Sequence, residues 1–191
     1  MSGETITPGR LDSRPIYRGR IVDLSVDTVR FPDGSTGELE LIRHSGAAAV
    51  LPLLSPLDDH DPHVLLIRQY RYASGGFMLE VPAGRPDQIG EDWELCARRE
   101  LEEETGITAR TLTYLTTIYT TPGFTDEQIR LYLATDCTIS GSGKFDHDEF
   151  IDPITVPLSR ALDLIRNGDI TDAKSICTIL FASAFLLGRV S

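Results

Sequence analysis

The sequence predicts an α+β protein, and three observations carry that prediction. Short segments with alternating or continuous apolar residues recur between turn residues, as strands do. One charged segment near the middle has helical spacing and ends at a glycine. Two segments with an apolar stripe close the chain.

Residues 21–31 alternate apolar and polar side chains and run into Pro32-Asp33-Gly34, and residues 37–42 alternate again. That is a hairpin signature. Residues 47–54 read as a buried strand. Residues 64–72 read as another, after the turn residues 58–62. A short strand, 77–81, ends at Pro82-Ala83-Gly84. The central helix spans about 91–105, with Gly106 placed for a left-handed cap. Strands at about 112–119 and 129–134 flank the turn-like Thr121-Pro122-Gly123-Phe124, and a polar loop fills 138–148. Helices at 158–167, stopped by Gly168, and at about 172–187 complete the chain.

Composition narrows the function classes. At 191 residues the chain suits one domain with a sizeable core, or one domain plus a short accessory element. A net charge of −11 argues against a nucleic-acid partner, because such affinity comes largely from Lys and Arg contacts to phosphate. It is compatible with a small anionic substrate if cations mediate. No apolar run is long enough to span a membrane, and the polar residues 1–14 are not a secretory signal. Cys96, Cys137 and Cys177 are far apart and read as buried, reduced thiols in a cytoplasmic protein.

The most informative segment is Arg99-Glu100-Leu101-Glu102-Glu103-Glu104. On a helix Glu100, Glu103 and Glu104 stand at i, i+3 and i+4 and share a face. Like charges at that spacing cost a few tenths of a kcal/mol per pair. The usual remedy is a Lys or Arg four residues on, and positions 106–108 are Gly, Ile and Thr. The helix C-terminus also disfavours anions. The plainer reading is a solvated acidic face; the sharper one is a site for a hard divalent cation, which prefers carboxylate oxygen.

Gly84, Glu91 and the run from Arg99 to Ile107 together resemble the Nudix box, a glycine followed by spaced glutamates and Arg-Glu-apolar-x-Glu-Glu-x-Gly-apolar. The second half matches at every position. The first half has six residues, not five, between Gly84 and Glu91. Arg68-Gln69-Tyr70-Arg71, Leu79-Glu80-Val81-Pro82-Ala83-Gly84, Pro122 sixteen residues after Gly106, Asp126-Glu127, residues 148–151 and the run Gly168-Asp169-Ile170-Thr171-Asp172-Ala173 extend the resemblance to the ADP-ribose pyrophosphatase branch.

The resemblance implies an α/β/α sandwich with a mixed sheet over residues 46–191, preceded by an antiparallel β-hairpin element over residues 1–45. That element is implied to serve dimerisation and the substrate site of a homodimer. It implies Mg²⁺, with Mn²⁺ as a substitute, held by Glu100, Glu103, Glu104 and the carbonyl of Ala83. Arg99 is implied to orient a box glutamate. Glu149 is the candidate general base, with Asp148, His147 or water acting through Glu103 as alternatives. Arg71 is a candidate phosphate contact, and Glu80, Pro122 and Gly123 complete the implied substrate set. Tyr17 and Tyr72 are candidates for stacking on a base, whereas Phe124 and Trp93 read as packing residues.

The implied reaction is hydrolysis of ADP-ribose to AMP and ribose 5-phosphate. GDP-mannose or another nucleotide sugar is the alternative substrate. A catalytically silent, ligand-binding regulator is the alternative of another class, and the intact glutamate set argues against it.

Overall fold

The computed structural model describes residues 7–88, 90–141 and 150–188. The chain divides into two compact units, residues 1–45 with 119–128 and residues 46–118 with 129–191.

The first unit holds an antiparallel sheet in the order β1-β2-β3, from β1 (Gly9–Arg18), β2 (Asp23–Arg30) and β3 (Thr36–Arg43). The expected hairpin is β2–β3, closed by a turn in which Gly34, at φ 87, donates to the Phe31 carbonyl at 2.9 Å. Strand β1 is an addition to the expected pair. It escapes sequence reading because its register shifts twice, between Arg10 and Asp12 and between Pro15 and Tyr17, and all its residues are exposed. Neither an unbroken period of two nor a buried stripe is left to detect. Buried Asp27 ties the sheet together by accepting from Ser13 Oγ at 2.6 Å, Ser25 Oγ at 2.9 Å and the Arg43 guanidinium. The Ser13 hydrogen bond leads in holding its carboxyl below the usual range, against burial. The turn at 121–125 is stitched to β3, with Ile42 N–H donating to the Phe124 carbonyl at 2.8 Å. Phe124, expected to pack, is 50% exposed, because its backbone rather than its ring makes that connection.

The second unit contains β4 (Ala47–Pro52), β5 (His63–Arg71), β6 (Gly76–Glu80), β7 (Ala83–Gly84), β8 (Ile107–Tyr119), β9 (Gln128–Ile139) and β10 (Ile151–Pro157). They form sheets ordered β10-β5-β6 and β7-β4-β9-β8. The β4–β9 pair is parallel, whereas β4–β7, β5–β6 and β5–β10 are antiparallel, so the sheet is mixed. Helices α1 (Trp93–Thr105), α2 (Leu158–Arg166) and α3 (Ala173–Phe181) cover it, and a π-helical turn, Ala182–Leu186, continues α3.

Alternation along the strands sorts the core into two layers. Ala47, Ala49 and Leu51, with Val64, Leu66, Leu131 and Leu133, pack against Leu158, Ala161 and Ile179 of α2 and α3. Their neighbours Ala48, Val50, Leu65, Ile67, Tyr132 and Ala134 pack against Cys96, Ala97 and Leu101 of α1. Burial on both faces is why these strands read as continuous apolar runs. Each fully buried Leu or Ile contributes about 1.5–3 kcal/mol of hydrophobic stabilisation. This is the expected α/β/α sandwich.

Several boundaries move. Glu91 lies outside the helix, because Asp92 is the N-cap and accepts from Glu94 N at 2.9 Å and Leu95 N at 3.2 Å. Strands β8 and β9 run further than expected, and β9 takes in the first residues of the expected polar loop. Of the cysteines, Cys96 is buried, Cys137 partly so and Cys177 exposed, which corrects the expectation of three buried thiols. Cys177 falls on the outward side of α3.

Candidate active site

The candidate site lies where α1 meets β7. Strand β7 is held on β4 by the pairs Ala48–Gly84 and Ala49–Ala83, and Val50 N–H donates to the Pro82 carbonyl at 2.9 Å. Gly84 permits a close approach: a Cβ built there would stand 2.0 Å from the Glu100 carboxyl carbon. Any other residue would displace Glu100, which gives the box glycine a steric reason. Glu104, one helical turn on and 3% exposed, accepts from Ala83 N–H at 2.9 Å. Glu103 is more open, with 46% of its side chain exposed.

Arg99 organises this acidic face. Its Nη1 donates to Glu100 at 2.8 Å and to Glu103 at 2.9 Å, and its Nη2 to the Arg85 carbonyl at 2.9 Å. Its Nε lies 3.2 Å from Asp87 and 3.5 Å from Glu91. Burial pulls the guanidinium pKa down, but the surrounding carboxylates, led by Glu100, more than offset this and raise it. The remedy for glutamate repulsion therefore comes from four residues before Glu103, whereas the sequence reading looked four residues after.

The extra residue between Gly84 and Glu91 is taken up in a turn. Glu91 Oε2 accepts from Asp87 N–H at 2.7 Å, Glu91 N–H donates to the Gln88 carbonyl at 3.2 Å, and Gly90 adopts φ 86. The Asp87 hydrogen bond leads in keeping the Glu91 carboxyl below its ordinary range.

A second charged cluster belongs to the same unit. Glu80, 1% exposed, accepts from Arg71 Nε at 2.9 Å and from Arg71 Nη2 at 2.8 Å. It also accepts from Lys174 Nζ, which is 2.9 Å from Asp172. Burial pushes the Glu80 carboxyl up, but the Arg71 hydrogen bonds and Lys174 outweigh it, and its pKa falls. Asp172 caps α3 by accepting from Ser175 N–H at 3.0 Å and from Ser175 Oγ at 2.5 Å. Ser175 Oγ in turn accepts from Val81 N–H at 2.8 Å, tying α3 to the strand that leads into Ala83.

The geometry thus brings together Ala83, Glu100, Glu103, Glu104 and Arg99 on α1 and β7, and Arg71 with Glu80 across the β5–β6 hairpin. Pro122 and Gly123 are exposed in the 121–125 turn of the other unit. Glu149, with its alternatives Asp148 and His147, lies outside the described residues. Tyr17 and Tyr72 are 59% and 88% exposed, and Trp93 is partly buried under Arg130, whose guanidinium lies 4.9 Å from the ring centroid. Sequence reasoning missed Lys174, Ser175 and Asp87. Lys174 meets Glu80 across 94 positions of chain, a distance at which no local pattern signals contact.

Among the described residues no three His, Cys, Asp or Glu side chains converge as a metal cage, and Arg99 bridges Glu100 and Glu103. The donor chemistry nevertheless fits a hard cation. The Glu104 carboxylate stands against the Ala83 N–H and that of Glu100 in the cleared space at Gly84, with Glu103 joined to Glu100 through Arg99. Among the described residues no helix is long and apolar enough to cross a membrane.

Comparison with known proteins bears on the family and the fold. The NUDIX domain model matches residues 44–178, and the nucleoside diphosphate sugar hydrolase N-terminal domain model matches residues 10–39. An ADP-ribose pyrophosphatase of Bacillus subtilis (strain 168) is 36% identical over 167 residues, which is 87% of each chain. A methanol dehydrogenase activator of Bacillus methanolicus is 34% identical over 180 residues, 94% of each chain. A crystal structure of an ADP compounds hydrolase matches with a TM-score of 0.79 and 26% identity, covering 99% of this chain and 100% of the other.

Proposed function

The chain belongs to the Nudix family of hydrolases, and from that premise we propose that it hydrolyses the pyrophosphate bond of ADP-ribose, with Mg²⁺, to AMP and ribose 5-phosphate. The observation that carries this reading is the glutamate face of α1, held by Arg99 and pressed onto Ala83–Gly84. A solvated acidic surface needs neither a buried Glu104 nor a glycine cleared for Glu100.

Glu100, Glu103, Glu104 and the Ala83 carbonyl would hold the divalent cations, Mg²⁺ or Mn²⁺. Such ions, when bound, neutralise pyrophosphate charge and lower the pKa of a bound water. Arg99 positions Glu100 and Glu103 and prevents their mutual repulsion from splaying them. The hydrogen bond from Ala83 N–H fixes the buried Glu104 against β7. Water attacks one phosphorus, the bridging P–O bond breaks, and Glu149 is our candidate to accept the proton of that water.

Arg71 supplies a guanidinium for a phosphate oxygen, with Glu80 setting its plane. We assign Pro122 and Gly123 to the substrate set as well. We further assign residues 1–45 to a β element for dimerisation and substrate contact, residues 46–191 to the hydrolase domain, and the protein to the cytoplasm as a homodimer that binds no nucleic acid. Relatives named for ADP-ribose hydrolysis and the N-terminal domain match support this reading.

The test is a product assay with excess Mg²⁺ on ADP-ribose, GDP-mannose, UDP-glucose, NADH, diadenosine polyphosphates and ATP. AMP released from ADP-ribose, and lost on chelation, is the expected result. Turnover of GDP-mannose alone keeps the chemistry and moves the substrate. Silence across the panel overturns the reading.

A further inference from the structure

Glu80 is an almost fully buried carboxylate that both fixes and partly cancels the cation beside it. Arg71 spends Nε and Nη2 on its two oxygens, which leaves Nη1 outside that fork, on a side chain 39% exposed. Glu80 alone would neutralise Arg71, and Asp172 lies close enough to act on it as well. A second cation stands behind them. Lys174, with 10% of its side chain exposed, donates to Glu80 and, at 2.9 Å, to Asp172. Two carboxylates and two cations leave the cluster neutral; without Lys174 it carries one net negative charge.

That difference matters for an anionic substrate. The cluster is coupled to the acidic α1 face, since Arg71 also feels Glu104, and the whole chain carries a charge of −11. In a buried setting charges are weakly screened, so one uncompensated carboxylate acts strongly on the neighbouring Arg71 guanidinium and weakens its hold on a phosphate oxygen.

We infer that Lys174 is a positioning residue for substrate binding: from α3 it compensates Glu80 and Asp172, so that Arg71 keeps its plane and its positive field for a phosphate oxygen. This rests on the reading of Arg71 as the phosphate contact. Lys174 itself touches no substrate in this arrangement, because its ammonium is taken by Glu80 and Asp172.

The experiment is steady-state ADP-ribose hydrolysis at saturating Mg²⁺ for wild type, Lys174→Met, Arg71→Ala, the double variant, and Asp172→Asn with Lys174→Met. Lys174→Met should raise KM about tenfold or more with a much smaller change in kcat, the mark of lost binding. Its effect should largely vanish on the Arg71→Ala background, since the two residues act as one unit. Asp172→Asn with Lys174→Met restores neutrality and keeps a capping side chain, so KM should return most of the way to wild type. It also keeps the test open if Lys174→Met folds poorly. A Lys174→Met effect that persists undiminished without Arg71, that falls on kcat alone, or that Asp172→Asn leaves uncorrected overturns the inference. Wild type run alongside separates the two levels: no turnover by wild type overturns the proposed function and this inference with it.

Discussion

The carboxyl carbon of Glu100 lies 2.0 Å from the point where a Cβ on Gly84 would stand. Two residues sixteen positions apart in the chain therefore share one space, and the helix can seat its acidic face on β7 only because one of them has no side chain. Replacing Gly84 by Ala should push Glu100 away. Only the carboxyl end of the flexible Glu100 side chain has to move, so the melting temperature should change little, whereas a misplaced catalytic group costs about a hundredfold in rate. Melting temperature and kcat measured together check this; a Gly84→Ala protein with wild-type kcat would show that Glu100's position is unimportant.

Glu104→Gln keeps the shape and an oxygen able to accept from Ala83 N–H. The fold should survive, with a small change in melting temperature. Loss of one anionic ligand should lower kcat by about a hundredfold or more. Near-normal turnover would remove Glu104 from the ligand set.

Chelation should abolish activity reversibly, and Mg²⁺ or Mn²⁺ should restore it. A cation that binds only the folded chain also raises stability, by about 2.7 kcal/mol at a hundred times its Kd. Thermal melts with and without Mg²⁺ test this independently of turnover. A melting temperature indifferent to Mg²⁺, in wild type and in Glu104→Gln alike, would argue that the glutamate face holds no cation.

The carboxyl of Glu80 is held below its ordinary range despite burial, because Arg71 and Lys174 outweigh desolvation. A depressed folded pKa gives stability that is present above the unfolded value, about 4.3 for Glu, and is lost as pH falls through the folded value. Urea midpoints at pH 7 and below pH 4.3 should therefore converge between wild type and Glu80→Gln on acidification. Glu80→Ala at pH 7 leaves Lys174 buried with one partner fewer and should cost about 3–5 kcal/mol. Equal midpoints at neutral pH would show that the cluster is not structural.

The cysteines differ in environment. Burial pushes the Cys96 thiol up to about 12, and it sits on the face of α1 that packs into the core. Cys177 is exposed. Alkylation at pH 8 should modify Cys177 well before Cys96, read by peptide mass mapping. Early labelling of Cys96 would mean that α1 opens from the sheet.

Sequence alone determined the central acidic helix. The spacing of Glu100, Glu103 and Glu104 is a property of any α-helix, Gly106 is a local stop signal, and the buried strands betray themselves by composition, whereas the Asp92 cap that starts the helix came from the structure. The tertiary structure decided what that helix faces and what restrains it. Whether Gly84 meets Glu100, whether Ala83 N–H reaches Glu104, and whether Lys174 lies behind Glu80 depend on sheet register and helix packing. Strand β1 was hidden for a related reason: with every residue exposed and its register shifted twice, only its partner β2 reveals it. Periodicity is a local property of the backbone and can be read from one segment. Close approach and charge pairing are relations between distant segments, and the fold alone creates them.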